Sequence, residues 1–197
     1  MGFLKQDVLA AQCVYLNEKE IKILAENDVK IAHNPVSNMA IGAGFAPVAE
    51  LMNEGSTVCL GNDGGLLDMF EIMRIASLVH KGAKRDPSVV TADQALEMAT
   101  INGAKSLGLQ KDIGSLEVGK KADLIVLSPK FSVPINPENV VPYIVNYAVG
   151  NDVDIVMVNG NIVVAKKELK TVDEQAVVDE TRKAAEALWQ RNGALNK

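Results

Sequence analysis

The chain has 197 residues, of which 48% are hydrophobic and 4% aromatic, and it carries a formal net charge of −5 at pH 7. A chain of this length can bury one substantial core or two small ones. The acidic charge, with no cluster of Lys and Arg beyond isolated pairs, argues against a nucleic-acid surface. No apolar run approaches the roughly 20 residues of a membrane span. The composition therefore predicts a globular cytoplasmic protein that binds neither nucleic acid nor membrane.

The cysteine content indicates a reducing compartment. The two cysteines, Cys13 and Cys59, each lie inside an apolar run. This placement favours buried reduced thiols over a disulfide framework or a zinc knuckle.

The first sixty residues alternate between apolar and amphipathic stretches. Strands are predicted over three apolar runs: 8–14, 29–32 and 57–60. The first run is broken only by Gln12, as is typical of a strand covered on both faces. A capping box of Asn17 and Glu20 begins the helix between the first two strands, and Pro47 opens the helix before the third. The pattern predicts a βαβαβ unit with a parallel sheet, and residues 33–38 form a loop at the carboxyl end of its second strand.

The remainder of the chain begins with helices and then changes character. Helices are predicted over 66–79, 91–101, 103–107, 137–147 and from 171 to at least 188. A capping box of Thr91 and Gln94 begins the second of these, and one of Thr171 and Glu174 begins the last. Two β runs meet at Asn159-Gly160, which is the strongest short hairpin signal. A small β module therefore follows the α/β part.

Asp63 stands out because a glycine-framed carboxylate follows the third strand, in the run Val58–Gly65. Chemistry in α/β proteins is placed at the carboxyl ends of such strands. Asn, Asp and Gly are also the commonest turn formers, so the segment by itself is equally an ordinary tight turn.

The architecture is incomplete as a closed sheet. Three parallel strands cannot form a barrel of eight, and an open three-stranded parallel sheet leaves its edges unpaired. We therefore expect that another chain completes the sheet, or that this sequence is part of a longer one.

Six segments carry the motifs that follow one another along the chain: Ala10–Leu16, Ile31–Asn38, Leu60–Gly64, Leu67–Arg74, Ala99–Ala104 and Gly114–Leu124. In this order they resemble the amidohydrolase superfamily, and within it the methylthioadenosine and S-adenosylhomocysteine deaminases with the related triazine chlorohydrolases. The resemblance spans nearly the whole chain. It implies the C-terminal part of a TIM-like (β/α)8 metal-dependent hydrolase barrel over 1–110, a small composite β-sandwich module over 111–170 and a C-terminal helix over 171–197.

The resemblance also implies a reaction and a site. A divalent ion, zinc or iron, would activate water to attack a ring carbon of a purine nucleoside derivative or related heterocycle and expel ammonia. Asp63 matches the aspartate that binds the metal and takes a proton from the water. His33 matches a histidine at the mouth of the seventh strand, which is either a substrate-side contact or a hydrogen-bonded structural residue.

The sequence departs from the family in three respects. The other metal ligands of the family, including a His-x-His, are not in this chain, and one carboxylate cannot hold a catalytic zinc, which needs about three protein ligands. Gln12 stands where the family has a histidine, and a glutamine cannot shuttle a proton; it is either an active-site residue or a buried polar residue satisfied by backbone. The loop at Gly64–Leu66 is shorter than in the family. His80, late in a helix, is expected at the surface or acting on the helix dipole.

These features lead to one function and three alternatives. The leading hypothesis is hydrolytic deamination of an aminated purine or related heterocycle, performed only as part of a complete barrel. The alternatives are an inactive scaffold subunit, one half of a split enzyme, and a triazine chlorohydrolase-like hydrolase. Each requires a partner, which is either a second copy of the chain or a complementary N-terminal half.

Overall fold

The computed structural model describes residues 2–64, 67–128 and 132–191, and it has a mixed α/β architecture. Within these ranges the strands are β1 (Leu9–Ala11), β2 (Lys30–His33), β3 (Val58–Leu60), β4 (Leu124–Leu127), β5 (Val153–Val158), β6 (Asn161–Ala165) and β7 (Glu168–Leu169). The helices are α1 (Glu18–Glu26), α2 (Pro35–Ala40), α3 (Val48–Asn53), α4 (Met69–Lys84), α5 (Ala92–Ala99), α6 (Ile101–Ser106), α7 (Val140–Asn146) and α8 (Glu174–Arg191). A single 3-10 turn, Gly150–Asp152, precedes β5.

The first three strands form a parallel sheet in the order β1-β2-β3, which confirms the predicted βαβαβ unit. Ala10 lies opposite Ile31, and Ile31 lies opposite Val58, so the three strands are in close register. Because parallel strands place their carboxyl ends at one edge, the residues after β1, β2 and β3 meet there. Gln12, Ser37 and Asp63 are among them.

The main hydrophobic core lies between this sheet and its helices. Its buried members are Ile21, Leu24, Val29, Ile31, Ala46, Val48, Leu51, Val58, Val90 and Met98. A second cluster joins α4, α5 and α7 through Phe70, Met73, Ala95, Val145 and Ala148. The parallel sheet is therefore backed by helices on the face that carries Ile31 and Val58.

Strands β4 to β7 form a separate antiparallel sheet in the order β4-β5-β6-β7. The predicted hairpin is confirmed: Asn159 and Gly160 join β5 to β6, with φ of 49° and 79°. A two-residue turn of this type requires positive φ at both positions, which Asn and Gly tolerate. None of the described residues in these four strands is buried.

Strand β1 differs from its prediction. It is short and partly exposed, with 42% of Leu9 accessible, so the prediction of a strand covered on both faces is wrong. The reason is that alternate side chains of a strand point to opposite faces: Ala10 packs against the main core, whereas Leu9 and Ala11 point to the other face and are exposed. Both cysteines are free as predicted, but Cys59 is buried whereas Cys13 is only half-buried.

The helix starts were predicted unevenly. The capping boxes at Asn17 and Thr91 are confirmed. The box predicted at Thr171 is wrong, because α8 begins at Glu174 and the side chain of Asp173 accepts from the Ala176 amide. The predicted helix start at Leu66 and the shortened loop at 64–66 fall largely outside the described residues; the described helix there, α4, begins after Asp68.

Two further helices changed. The two helices predicted over 91–101 and 103–107 are confirmed as α5 and α6, but the break between them lies at Thr100, whose φ is −124° and ψ is −94°. The loop predicted over 33–38 is wrong in its second part, because Pro35–Ala40 form the short helix α2, whose first position suits a proline. In the described ranges, every helix is too short or too polar to cross a bilayer.

Candidate functional site

Asp63 lies three residues beyond the end of β3, in the left-handed region with a φ of 54°. Gly61 anchors the turn that carries Asp63 to the sheet, because its backbone amide donates a hydrogen bond to the His33 carbonyl of β2. A Cβ on Gly61 would collide with the side-chain oxygen of the buried Asn34, so this position admits only glycine. The turn therefore holds the Asp63 side chain at the carboxyl edge of the sheet.

Two side chains hold the carboxylate of Asp63. Gln12 donates from Nε2 to Oδ2 of Asp63 at 2.9 Å, and Ser37 donates from Oγ to the same oxygen at 2.7 Å. The Ser37 hydrogen bond, followed by that of Gln12, holds the pKa of Asp63 below its usual range. The carboxylate is exposed and therefore ionised at neutral pH.

Gln12 reaches Asp63 from the end of β1 on an unusual backbone. Gln12 and Cys13 both have positive φ, 72° and 49°. The Gln12 amide donates to the Ala32 carbonyl at 3.0 Å, which extends the ladder between β1 and β2 by one residue. Of the two predicted roles for Gln12, a buried residue satisfied by backbone does not match these contacts, because its side chain bonds a carboxylate and its Oε1 is buried without a partner.

Ser37 was not among the residues singled out in the sequence. It lies in the first turns of α2, directly after β2, and it is separated from Asp63 by 26 positions. The only sequence signal was its place in the 33–38 segment at the carboxyl end of a strand. That signal gives the edge of the sheet but not which hydroxyl reaches the carboxylate.

His33 is the last residue of β2, and its side chain contacts His80 of α4. The two Nε2 atoms are 3.3 Å apart, and the ring of Phe45 packs edge-on against His80. Both imidazoles are buried, so the prediction of a surface position for His80 is wrong. His33 shares its side of β2 with the core residue Ile31, and its observed side-chain contacts fit the hydrogen-bonded structural role. A substrate-side contact for His33 stays a prediction.

Burial controls the charge of this histidine pair. It lowers the pKa of His33 to about 3, with a further contribution from the charge of His80. It also lowers the pKa of His80 to about 4, against the opposing charge of Glu50. Both rings are therefore neutral at physiological pH, and one Nε2–H donates to the other Nε2.

The described residues do not by themselves fit a metal ion. Across residues 2–64, 67–128 and 132–191 there is no group of three or more His, Cys, Asp or Glu side chains placed to hold one. Asp63 offers one carboxylate, and its nearest side-chain partners are hydrogen-bond donors rather than ligands. A metal at this edge would need ligands from elsewhere.

A large apolar cavity of about 980 Å³ lies away from Asp63, between the helices and the antiparallel sheet. Its walls include Phe70 and Met73 of α4, Leu96 of α5 and Val153 of β5. Neither Asp63, Gln12 nor Ser37 lines it. The cavity therefore marks the junction between the two sheets rather than the carboxylate site.

Comparison with known proteins identifies the family. Residues 1–163 match the amidohydrolase family model, so the chain belongs to the amidohydrolase family. The chain is 46% identical over 187 residues to a 5-methylthioadenosine/S-adenosylhomocysteine deaminase of Moorella thermoacetica, covering 93% of this chain and 44% of that protein. It is 42% identical to a 5'-deoxyadenosine deaminase of Methanosarcina acetivorans, covering 98% of this chain and 45% of that protein.

Solved structures with the same fold include two zinc-bound hydrolases. An adenosine deaminase from Xanthomonas campestris with bound zinc superposes with a TM-score of 0.90 at 30% identity, over 96% of this chain and 44% of that one. An atrazine chlorohydrolase from Arthrobacter aurescens complexed with zinc gives 0.80 at 28% identity, over 92% and 41%. The chain thus spans less than half the length of the relatives it matches.

Proposed function

We propose that this chain contributes the Asp63 side of a deaminase site, and that the complete site hydrolyses the amino group of an adenosine derivative. The observation that carries the proposal is the ionised Asp63 carboxylate, held by Gln12 and Ser37 at the carboxyl edge of a parallel sheet. The identity of 46% to a deaminase that acts on methylthioadenosine and S-adenosylhomocysteine supports this substrate class.

In the proposed site Asp63 is both a metal ligand and a general base. Its lowered pKa keeps it ionised near neutral pH, as either role requires. The metal would be zinc or iron, and zinc is supported by the zinc-bound relatives. Because the described residues contain no group of three or more His, Cys, Asp or Glu side chains placed to hold a metal, the other ligands would come from a complementary half or from a second copy of the chain.

The organisation that goes with this function is also a proposal. Residues 1–110 would be the last part of a (β/α)8 barrel, 111–170 a small composite β-sandwich module, and 171–197 a C-terminal helix. Two observations support it. Among the described residues no strand pairs with the outer edge of β1 or of β3, and the antiparallel sheet leaves apolar side chains such as Ile125 and Ile162 about half exposed. A complementary chain would cover both.

A chlorohydrolase is a second candidate, favoured by the superposition on the zinc-bound atrazine chlorohydrolase. Its lower identity, 28% against 46%, places it behind deamination. A non-catalytic scaffold is the third, and it is favoured by the glutamine at position 12.

The test is reconstitution. The chain is purified alone and together with the N-terminal half of the Moorella thermoacetica relative, and bound metal is measured for each. Ammonia release is then followed from methylthioadenosine, S-adenosylhomocysteine, 5'-deoxyadenosine and adenosine, and chloride release from atrazine. We expect metal and ammonia release in the reconstituted pair only, both abolished by Asp63→Asn. Chloride release without ammonia release would favour the chlorohydrolase. Release of neither product would favour the scaffold.

A further inference from the structure

The two hydrogen bonds to Asp63 fall on one oxygen. Gln12 Nε2 and Ser37 Oγ both donate to Oδ2, at 2.9 Å and 2.7 Å. A carboxylate oxygen has two lone pairs, so two donors fill it. The Gly64 backbone amide makes a smaller contribution to the low pKa of Asp63. Even if that amide faces Oδ1, one lone pair of Oδ1 stays open.

The orientation of the Gln12 amide is fixed by this contact. The reverse orientation would turn Oε1 toward the Asp63 carboxylate and set two acceptors against each other. In the observed orientation Oε1 is buried without a hydrogen-bond partner. A buried acceptor without a partner costs free energy. The hydrogen bond from Nε2 to Asp63 therefore outweighs the free energy lost by leaving Oε1 of the same side-chain amide unsatisfied.

The backbone of Gln12 is unfavourable as well. Gln12 and Cys13 are consecutive non-glycine residues with positive φ, a conformation that costs free energy at each position. The strain aims the side chain from the end of β1 across the sheet edge to the turn after β3. A residue that only filled space would need neither this backbone nor this amide orientation.

The three residues together link all three strands of the parallel sheet. The backbone N–H of Gln12 donates a hydrogen bond to the Ala32 carbonyl of β2. Ser37 follows β2 in α2, and Asp63 follows β3. The position of Oδ2 is thus set from two sides by groups that are themselves held by the sheet. Rotation of the Asp63 side chain would break both hydrogen bonds at once.

We propose that Gln12 is a positioning residue for Asp63: with Ser37 it occupies Oδ2, fixes the side-chain rotamer and directs Oδ1 toward a further partner. The inference deepens the proposed function, on which its biological meaning rests. Gln12 is a neutral donor, so it holds the carboxylate without itself gaining or losing a proton.

The test uses the full 197-residue chain and does not depend on turnover. The three-bond couplings between Hα and the two Hβ protons of Asp63 are measured by NMR. A fixed rotamer that places Hα anti to one Hβ gives one large and one small coupling, whereas a rotating side chain gives two averaged ones. We expect unequal couplings in the wild type. Gln12→Met removes the donor at nearly constant length and should average them, and Gln12→Asn, which is too short to reach Oδ2, should do the same.

Two variants serve as controls. Gln6→Met makes the same change at an exposed glutamine outside the cluster and should leave the Asp63 couplings unequal. Asp63→Asn keeps an oxygen that can occupy the Oδ2 position, so the couplings measured at position 63 of that variant should also stay unequal while the negative charge is lost. The ring signals of His80, which is buried in α4, report whether each variant is folded.

The outcomes separate this inference from the proposed function. Unequal couplings in a folded Gln12→Met or Gln12→Asn chain would overturn the positioning role, whatever the reconstituted pair does. Averaged couplings in both, with unequal couplings in Gln6→Met, would support it even if no ammonia is released.

Discussion

The parallel sheet with its helices and the antiparallel sheet differ sharply in how much they bury. In the first region, side chains such as Ile31, Leu51 and Ile72 are fully buried. In the second, none of the described residues of β4 to β7 is buried, and Val158 and Ile162 are each 48% exposed. Both regions have regular hydrogen-bonded strands. Backbone pairing alone therefore does not make a core, and the stability of the chain rests on the helix-backed side.

The same contrast explains where the site lies. The edge that carries Asp63 belongs to the well-buried region, whose strands fix Gln12, Ser37 and the turn after β3. The antiparallel sheet faces that region across the apolar cavity, which lies beside α4 and α5. Damage to the antiparallel sheet should therefore change stability little and leave the Asp63 cluster in place.

The largest expected effect comes from opening the main core. Leu51→Ala in α3 removes a side chain with no exposed surface, and we expect a loss of about 2–5 kcal/mol in the free energy of unfolding. Leu169→Ala in β7, where the leucine is 40% exposed, is the matched change in the other region. We expect it to cost less than about 1 kcal/mol. Urea denaturation of both variants measures the difference, and equal losses would contradict the unequal burial.

The second effect is a loss of stability in acid that arises from the buried histidine pair of the first region. The pKa values of His33 and His80 in the folded chain, about 3 and about 4, lie below the ordinary value of 6.5. A lowered folded pKa means that the unfolded chain binds protons first, so this stability is complete above pH 6.5 and is lost as the pH falls below it. At pH 5 His33 alone should lower the free energy of unfolding by about 2 kcal/mol, with His80 adding to it.

The measurement is denaturation at pH 7 and pH 5. His33→Gln should weaken the dependence on pH, because a neutral amide replaces the group that must be protonated on unfolding. Lys5→Gln, an exposed change, serves as the control. The same pH dependence in wild type and His33→Gln would show that the acid effect arises elsewhere.

Features that depend on neighbouring residues could be predicted from the sequence. The capping boxes at Asn17 and Thr91 each join residues three positions apart, and the Asn159-Gly160 turn is set by the two residues themselves. The order of the parallel strands also followed, because apolar runs separated by helices have few possible arrangements. For the same reason the sequence indicated Asp63 and the edge of the sheet on which it lies.

The contacts that define the site could not be predicted in this way. Gln12 and Asp63 are 51 positions apart, and His33 and His80 are 47 apart. Which side chains meet over such separations depends on the register of the sheet and on backbone angles such as the positive φ of Gln12. Neither is encoded in a local pattern. The break between α5 and α6 was predicted after residue 101 and lies at Thr100, because its position depends on the backbone angles of that residue.

The third effect concerns the link between the two regions. Asp68 Oδ1 accepts from the Phe70 and Glu71 amides at the start of α4, and Oδ2 accepts from the Gly150 amide before β5 at 2.9 Å. Asp68→Ala should cost about 1–2 kcal/mol, since it removes both the cap and the link. Asp68→Ser keeps a cap but cannot reach Gly150, so it should cost less. Faster amide hydrogen exchange at Gly150 in both variants, with α4 protected only in Asp68→Ser, would separate the two roles.

The smallest effect is expected from replacing one glycine in each region by alanine. The two replacements should change the free energy of unfolding in opposite directions. Gly160 lies in the β5–β6 turn at a φ of 79°, so Gly160→Ala should cost about 1 kcal/mol through the left-handed backbone alone, with no atom near the added methyl. Gly82 lies inside α4, also with open space around it, and Gly82→Ala should raise the free energy of unfolding by about 0.5–1 kcal/mol. Urea denaturation of the two variants tests the sign. If Gly160→Ala were neutral, the turn would be free to adopt another conformation, and the hairpin would not be what holds the antiparallel sheet in register.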